Sequence, residues 1–121
     1  MDFEVEAATG DGASTLISVR GELDLATCGR LAPVAREVRS RDRPLILDLT
    51  DCPFIDSTGL REVLQIATAA DGEATPVAIV SPRGSATSEV FALTRLDEHL
   101  RLFATVEDAS AWLAESPEAS P

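Results

Sequence analysis

Polar and apolar positions follow two alternating rhythms along the chain. Phe3, Val5 and Ala7 alternate with Glu4 and Glu6, the period-2 pattern of a half-exposed strand. Thr9, Gly10, Asp11 and Gly12 supply a turn, Asp11 followed by Gly12 being a hairpin signal, and a second strand follows over about residues 14–20. The pair predicts an antiparallel hairpin whose first strand is an exposed edge. Leu31, Val34, Ala35 and Val38 then predict a helix beginning near Leu25, with Asp24 placed to cap it. Pro33 lies inside that pattern. Proline removes a backbone donor and clashes with the preceding turn, so the helix is expected either to kink or to start late, near Leu31.

Leu45, Ile46, Leu47, Asp48 and Leu49 form a near-continuous apolar run, the mark of a buried strand. Leu60, Val63, Leu64 and Ala67 recur at i, i+3, i+4 and i+7, which predicts a helix to about Ala70, stopped by Asp71 and Gly72. Val77, Ala78, Ile79 and Val80 predict another buried strand. A loop of Ser81, Pro82, Arg83, Gly84 and Ser85 leads to a short helix carrying Val90 and Phe91 and reaching about Leu93. Leu100, Arg101, Leu102 and Phe103 read as a last strand. Val106, Ala109, Trp112 and Leu113 read as a final helix, with Glu107 and Asp108 favoured in its first turn by the helix dipole. Alternating strands and helices make an α/β domain with a mixed, mostly parallel sheet, an N-terminal antiparallel hairpin and about four helices. Residues 1–114 form that single domain, and 115–121, polar with Pro117 and Pro121, are expected to be a flexible tail.

Asp56, Ser57 and Thr58 occupy a strand-to-helix turn, where the first N–H groups of the helix lack acceptors and favour negative charge. Simple capping by Asp56 or Ser57 accounts for part of this. Gly59, so early in a helix, asks for more, because glycine costs about 1 kcal/mol against alanine in a helix interior. It is kept where a backbone approaches something closely, and a partner surface is the expected use. Right-handed crossovers put Asp24 and Ser57 on the same edge of the sheet, at the C-terminal ends of parallel strands.

At this point two motifs carry a family resemblance. Asp56, Ser57, Thr58, Gly59 and Leu60 resemble the signature of the STAS domain as found in bacterial anti-sigma factor antagonists, and Gly21, Glu22, Leu23 and Asp24 with Thr27 resemble that family's second motif. The resemblance extends over about residues 3–113. It implies a STAS-like fold and a regulatory protein rather than an enzyme. It implies that Ser57 is phosphorylated by an anti-sigma factor with ATP-dependent serine kinase activity. Asp24, Asp56, Thr58, Gly59, Leu60 and Arg61 would share the partner surface with Ser57, and a serine phosphatase would reset it. Arg61 departs from the small residue that many relatives carry there, and either alters kinase choice or pairs with the phosphate. The alternative the same resemblance allows is a STAS subunit docked permanently on a membrane transport or lipid-trafficking complex.

Charge narrows the partners. Ten Lys+Arg against 21 Asp+Glu give a formal net charge of -11, which opposes direct nucleic-acid binding, since phosphate contact needs a basic footprint. All of the basic residues are arginines. Arg36, Arg39, Arg41 and Arg43 cluster at the predicted end of the first helix, where a solvated face suited to the helix C-terminus is the simpler reading and a docking patch the sharper one. The beginning of the sequence lacks a basic and apolar leader, and no run approaches the roughly 18–20 apolar residues that span a bilayer. A cytoplasmic protein without a membrane partner is the expectation.

Catalysis finds little support. A serine nucleophile needs a base and an orienting group, and His99 is the lone histidine. No glycine-rich phosphate loop and no histidine pair for a metal is present, so neither cofactor nor metal is expected. Ser81 and Ser85 read as turn residues, and Trp112 as core. Cys28 and Cys52 are too few for a disulfide framework and read as core thiols, with redox control the third possibility.

Overall fold

The structure is a computed structural model describing residues 2–9, 14–39, 43–71 and 76–115. Strands β1 (Glu4–Thr9) and β2 (Thr15–Arg20) pair antiparallel, with Val5 opposite Val19 and Ala7 opposite Ile17. Strands β3 (Leu45–Asp51), β4 (Val77–Val80) and β5 (Leu102–Phe103) add in parallel, giving the order β1-β2-β3-β4-β5 with β1 as an open edge. The crossovers are α1 (Cys28–Arg39), α2 (Ser57–Asp71) and α3 (Ala86–Leu93), and α4 (Val106–Glu115) follows β5.

Alternation along the strands divides the core in two. Leu45, Leu47 and Leu49 of β3 and Val77 and Ile79 of β4 face α1, α2 and α3, meeting Leu31, Ala35, Val63, Ile66 and Phe91. Ile46, Ala78 and Val80 face the other way, against Ala109 and Leu113 of α4. That is why β4 reads as an unbroken apolar run and β3 as a near-continuous one: both faces are covered. Leu47 is fully buried, and truncation to alanine there would cost about 2–5 kcal/mol. Trp112 is half-buried rather than central, tilted against Phe103 at 5.6 Å with the Arg101 guanidinium 5.5 Å from its ring.

Several boundaries differ from expectation. Helix α1 begins at Cys28, later than Leu25 and earlier than Leu31, because residues 25–27 form a turn in which the Thr27 and Cys28 amides both donate to Asp24 O. Pro33 is accommodated inside α1 on its exposed side, and the carbonyl four residues back belongs to exposed Gly29, where water can replace the missing donor. The last strand is only Leu102–Phe103, and a 3-10 turn at Leu96–Glu98 precedes it, entered through Arg95 at φ 61°. Ser85 caps α3 by accepting from the Ser88 amide, and Ser81 is buried on Thr87 at 2.7 Å, so both serve the turn. Glu115 closes α4. The expected turn at Gly10, Asp11 and Gly12, Arg41, the helix stop at Gly72 and the tail beyond Glu115 lie outside the described residues.

Candidate functional site

Strands β2 and β3 run parallel and finish at one edge of the sheet. Gly21 turns the chain away from β2 at φ +102°, a conformation L side chains rarely adopt, and donates its amide to Asp51 O at 3.0 Å. Beyond that point the two loops stay paired. Leu23 N donates to Phe54 O at 2.9 Å, Asp56 N donates to Leu23 O at 3.2 Å, and Leu23 and Ile55 form a parallel bridge with both side chains buried.

Asp56 is the joint between the loops. Its Oδ1 accepts from the Gly59 amide at 2.9 Å, which makes Asp56 rather than Ser57 the cap of α2, and its Oδ2 accepts from the Leu25 amide at 3.2 Å. Asp24 organises its own turn, its Oδ1 accepting from the amides of Ala26 and Thr27 at 3.0 and 3.2 Å. Thr27 Oγ1 closes that loop by donating to Glu22 O at 2.6 Å and accepting from Asp24 N at 3.0 Å.

Ser57 is therefore left free. It is the first residue of α2 and exposed, and its hydroxyl has no hydrogen-bond partner among the described residues. Thr58 is half-buried, and Arg61 is exposed one turn further on, at the i+4 position that shares a helix face with Ser57. Leu60 turns half inward against the main core. Gly59 corrects the sequence reading: it is buried, and a Cβ there would overlap Leu23 O, so the close approach it permits is to the chain's own backbone.

Two residues that the sequence did not assign to the partner surface also stand here. Leu25 is 76% and Phe54 48% exposed, both large apolar side chains in the paired loops. The available signal was that neither fits a neighbouring apolar face: Phe54 alternates with buried Ile55, and Leu25 lies outside the α1 spacing.

The two cysteines differ. Burial pushes the Cys52 thiol up from its ordinary value, opposed in part by the backbone at Phe54 and Leu23, and its Sγ donates to Phe54 O at 3.3 Å. A thiol held protonated is a poor nucleophile, which works against redox control at that position. Cys28 is half-buried at the start of α1. His99 precedes β5, which places it at the opposite edge of the sheet from Ser57, out of range as a base for that hydroxyl. Among the described residues no cluster of His, Cys, Asp or Glu is arranged to hold a metal, and no helix is long and apolar enough to cross a membrane.

The STAS domain family model matches residues 4–109. The chain belongs to the STAS domain family. No curated protein matches it. Among solved structures, this STAS domain is similar to an anti-sigma factor antagonist from Mycobacterium paratuberculosis, at 24% identity and TM-score 0.79 over 94% of this chain and 96% of that one. It is similar to the anti-sigma factor antagonist SpoIIAA in its unphosphorylated form, at 19% identity and TM-score 0.68 over 95% and 100% of the two chains. The phosphorylated form of the Bacillus protein SpoIIAA matches at 22% identity and TM-score 0.65, over 93% and 99%. At these identities the likeness is one of fold, and it includes the five-stranded mixed sheet and its antiparallel hairpin.

Proposed function

We propose that this STAS domain is an anti-sigma factor antagonist whose unphosphorylated form binds an anti-sigma factor that is also a serine kinase, freeing a sigma factor. Phosphorylation of Ser57 by that ATP-using partner ends the binding, and a serine phosphatase restores it. The protein is substrate and ligand in this cycle, not catalyst, and acts in the cytoplasm. The observation that carries the reading is the free, exposed hydroxyl of Ser57 at the first position of α2, beside loops that Asp56 holds together without its help.

The switch is electrostatic. Phosphorylation adds about 1.5–2 negative charges, which the start of a helix accommodates, so the fold survives. Arg61, at i+4, is placed to pair with the phosphate. The edge already carries Glu22, Asp24, Asp51 and Asp56, and a partner that had buried a neutral hydroxyl meets added charge and a desolvation cost. Asp24, Asp56, Thr58 and Arg61 surround Ser57 on the proposed surface, while Gly59 and Leu60 support it from beneath.

Affinity capture from native lysate with wild type, Ser57→Ala and Ser57→Asp tests this. The expected result is a soluble ATP-binding kinase retained by wild type and Ser57→Ala and lost with Ser57→Asp. Incubation of that kinase with ATP should place phosphate on Ser57. Recovery of the same membrane transporter components by all three proteins would replace the switch with a docking subunit.

A further inference from the structure

Large apolar side chains that stand exposed among the described residues are Leu25 at 76%, Phe54 at 48% and Leu93 at 84%. Exposed leucines scattered singly are ordinary on a protein surface, so position has to decide whether these have a use. Leu93 ends α3, away from the edge where α3 begins. Leu25 and Phe54 stand in the two loops that flank Ser57. With Leu23 and Ile55 turned into the core, alternation turns Phe54 outward. The Leu25 amide, bonded to Asp56 Oδ2, keeps Leu25 beside the peptide that joins Asp56 to Ser57.

The backbone under both side chains is fixed. Phe54 O accepts from the Leu23 amide and the Cys52 thiol, and Leu25 is tied through Asp56 to the first turn of α2. Apolar groups presented on a rigid backbone lose little further freedom when covered, which is the condition for an efficient binding anchor.

Charge selects what covers them. Residues 21–27 and 50–56 contain Glu22, Asp24, Asp51 and Asp56 and no basic residue, and exposed Arg61 beside Ser57 offsets only part of that charge. Arg20 approaches Asp51 only to 3.9 Å, with both side chains well exposed, so it neutralises little. A second copy of the chain would set these acids against themselves, and nucleic acid would be repelled. A protein surface with an apolar pocket bordered by Arg or Lys satisfies both features.

We infer that Leu25 and Phe54 are the apolar anchors by which a kinase-type anti-sigma factor, through a cation-rimmed apolar pocket, engages this edge and encloses Ser57. The inference rests on the proposed function and adds the residues that carry its affinity. It also supplies a cause for release. An apolar contact closed around Ser57 excludes water, and a phosphate there forfeits hydration that a neutral hydroxyl hardly needs.

The test uses the kinase recovered by the wild-type chain, purified and titrated against wild type, Leu25→Ala, Phe54→Ala, the double variant and Leu93→Ala. Each single loop variant is expected to weaken binding about tenfold and the double about a hundredfold, with Leu93→Ala within about twofold of wild type. Melting midpoints of Leu25→Ala and Leu93→Ala should agree with wild type within about 2 °C, because those groups are largely exposed, whereas Phe54 is only 48% exposed. If Phe54→Ala lowers the midpoint, Leu25→Ala, the more exposed, decides. Loss of the kinase with Ser57→Asp combined with near-wild-type binding by Leu25→Ala overturns the anchors and leaves the switch standing. A wild-type chain that recovers no kinase overturns both.

Discussion

Replacing Gly59 by alanine tests whether the helix start is built for internal contact or for a partner. The added Cβ would overlap Leu23 O and lie 2.9 Å from both the carbonyl carbon and Cγ of Leu23. All three contacts fall inside the ~3.5 Å at which non-bonded atoms attract. Leu23 has no room to retreat: its side chain is fully buried, and its amide and carbonyl hold the bridge to Phe54 and Asp56. Overpacking costs about 1–3 kcal/mol, and losing one or both bridge hydrogen bonds costs about 1 kcal/mol each. Better helix propensity returns about 1 kcal/mol. The balance is a loss of about 1–4 kcal/mol, which in a domain of this size lowers the melting midpoint by about 4–16 °C.

Gly29 supplies the contrast. It is also helical, but a Cβ there meets nothing within 4 Å, so Gly29→Ala should gain up to about 1 kcal/mol and raise the midpoint a few degrees. Circular dichroism melts and urea titrations of the two variants read the difference directly. The reasoning is refuted if Gly59→Ala melts at or above the wild-type temperature while partner binding is lost, because that is how a glycine reserved for a partner's approach would behave.

Asp56→Ala should destabilise by about 1–2 kcal/mol through loss of the bonds to the Gly59 and Leu25 amides, and Asp56→Asn, which keeps an acceptor, by less. Denaturant midpoints check this, and equal losses for the two variants would show that the acceptor is not what matters. Glu62 gives a pH signature. Burial raises its carboxyl above the ordinary value of 4.5, with Arg36 opposing in part, so the folded state holds that proton more readily than the unfolded chain. Its contribution is present below about pH 4.5 and is lost as pH rises through the folded value. Glu62→Gln should therefore be more stable than wild type near pH 7, with the advantage gone by about pH 4. An advantage independent of pH would contradict the assignment.

The elements most legible in the sequence are those whose local signals agree with their packing. The extents of β4 and α3 follow within a residue from an apolar run and from a loop that ends in a capping serine. The start of α1 was less legible because two local programmes compete there. The apolar spacing asks for helix, while Asp24 and Thr27 hold residues 25–27 in a turn with their own side-chain bonds. The 3-10 turn before β5 left no periodic trace. At the site, the sequence exposed the need for a close approach at Gly59 but not the object approached. The Leu23–Ile55 bridge joins residues far apart in sequence, and the outward placement of Phe54 follows from it, while Leu25 is carried outward by the Asp24 turn.

That bridge also leaves the first residue of α2 without a part in holding the helix start. The usual capping position is filled by Asp56, whose two oxygens serve different loops, so the α2 cap and the link to the Asp24 turn depend on a single carboxylate. Gly59, one turn in, lets α2 begin hard against Leu23. With cap, link and close contact assigned to Asp56, Leu23 and Gly59, the residue between them has no structural duty, and Ser57 is free to differ chemically between two states of one fold. A serine that capped its own helix would couple phosphate transfer to loss of the cap. Under the proposed switch, charge would be added where no existing bond must break, so phosphorylation of Ser57 should alter binding at this edge by far more than it alters stability.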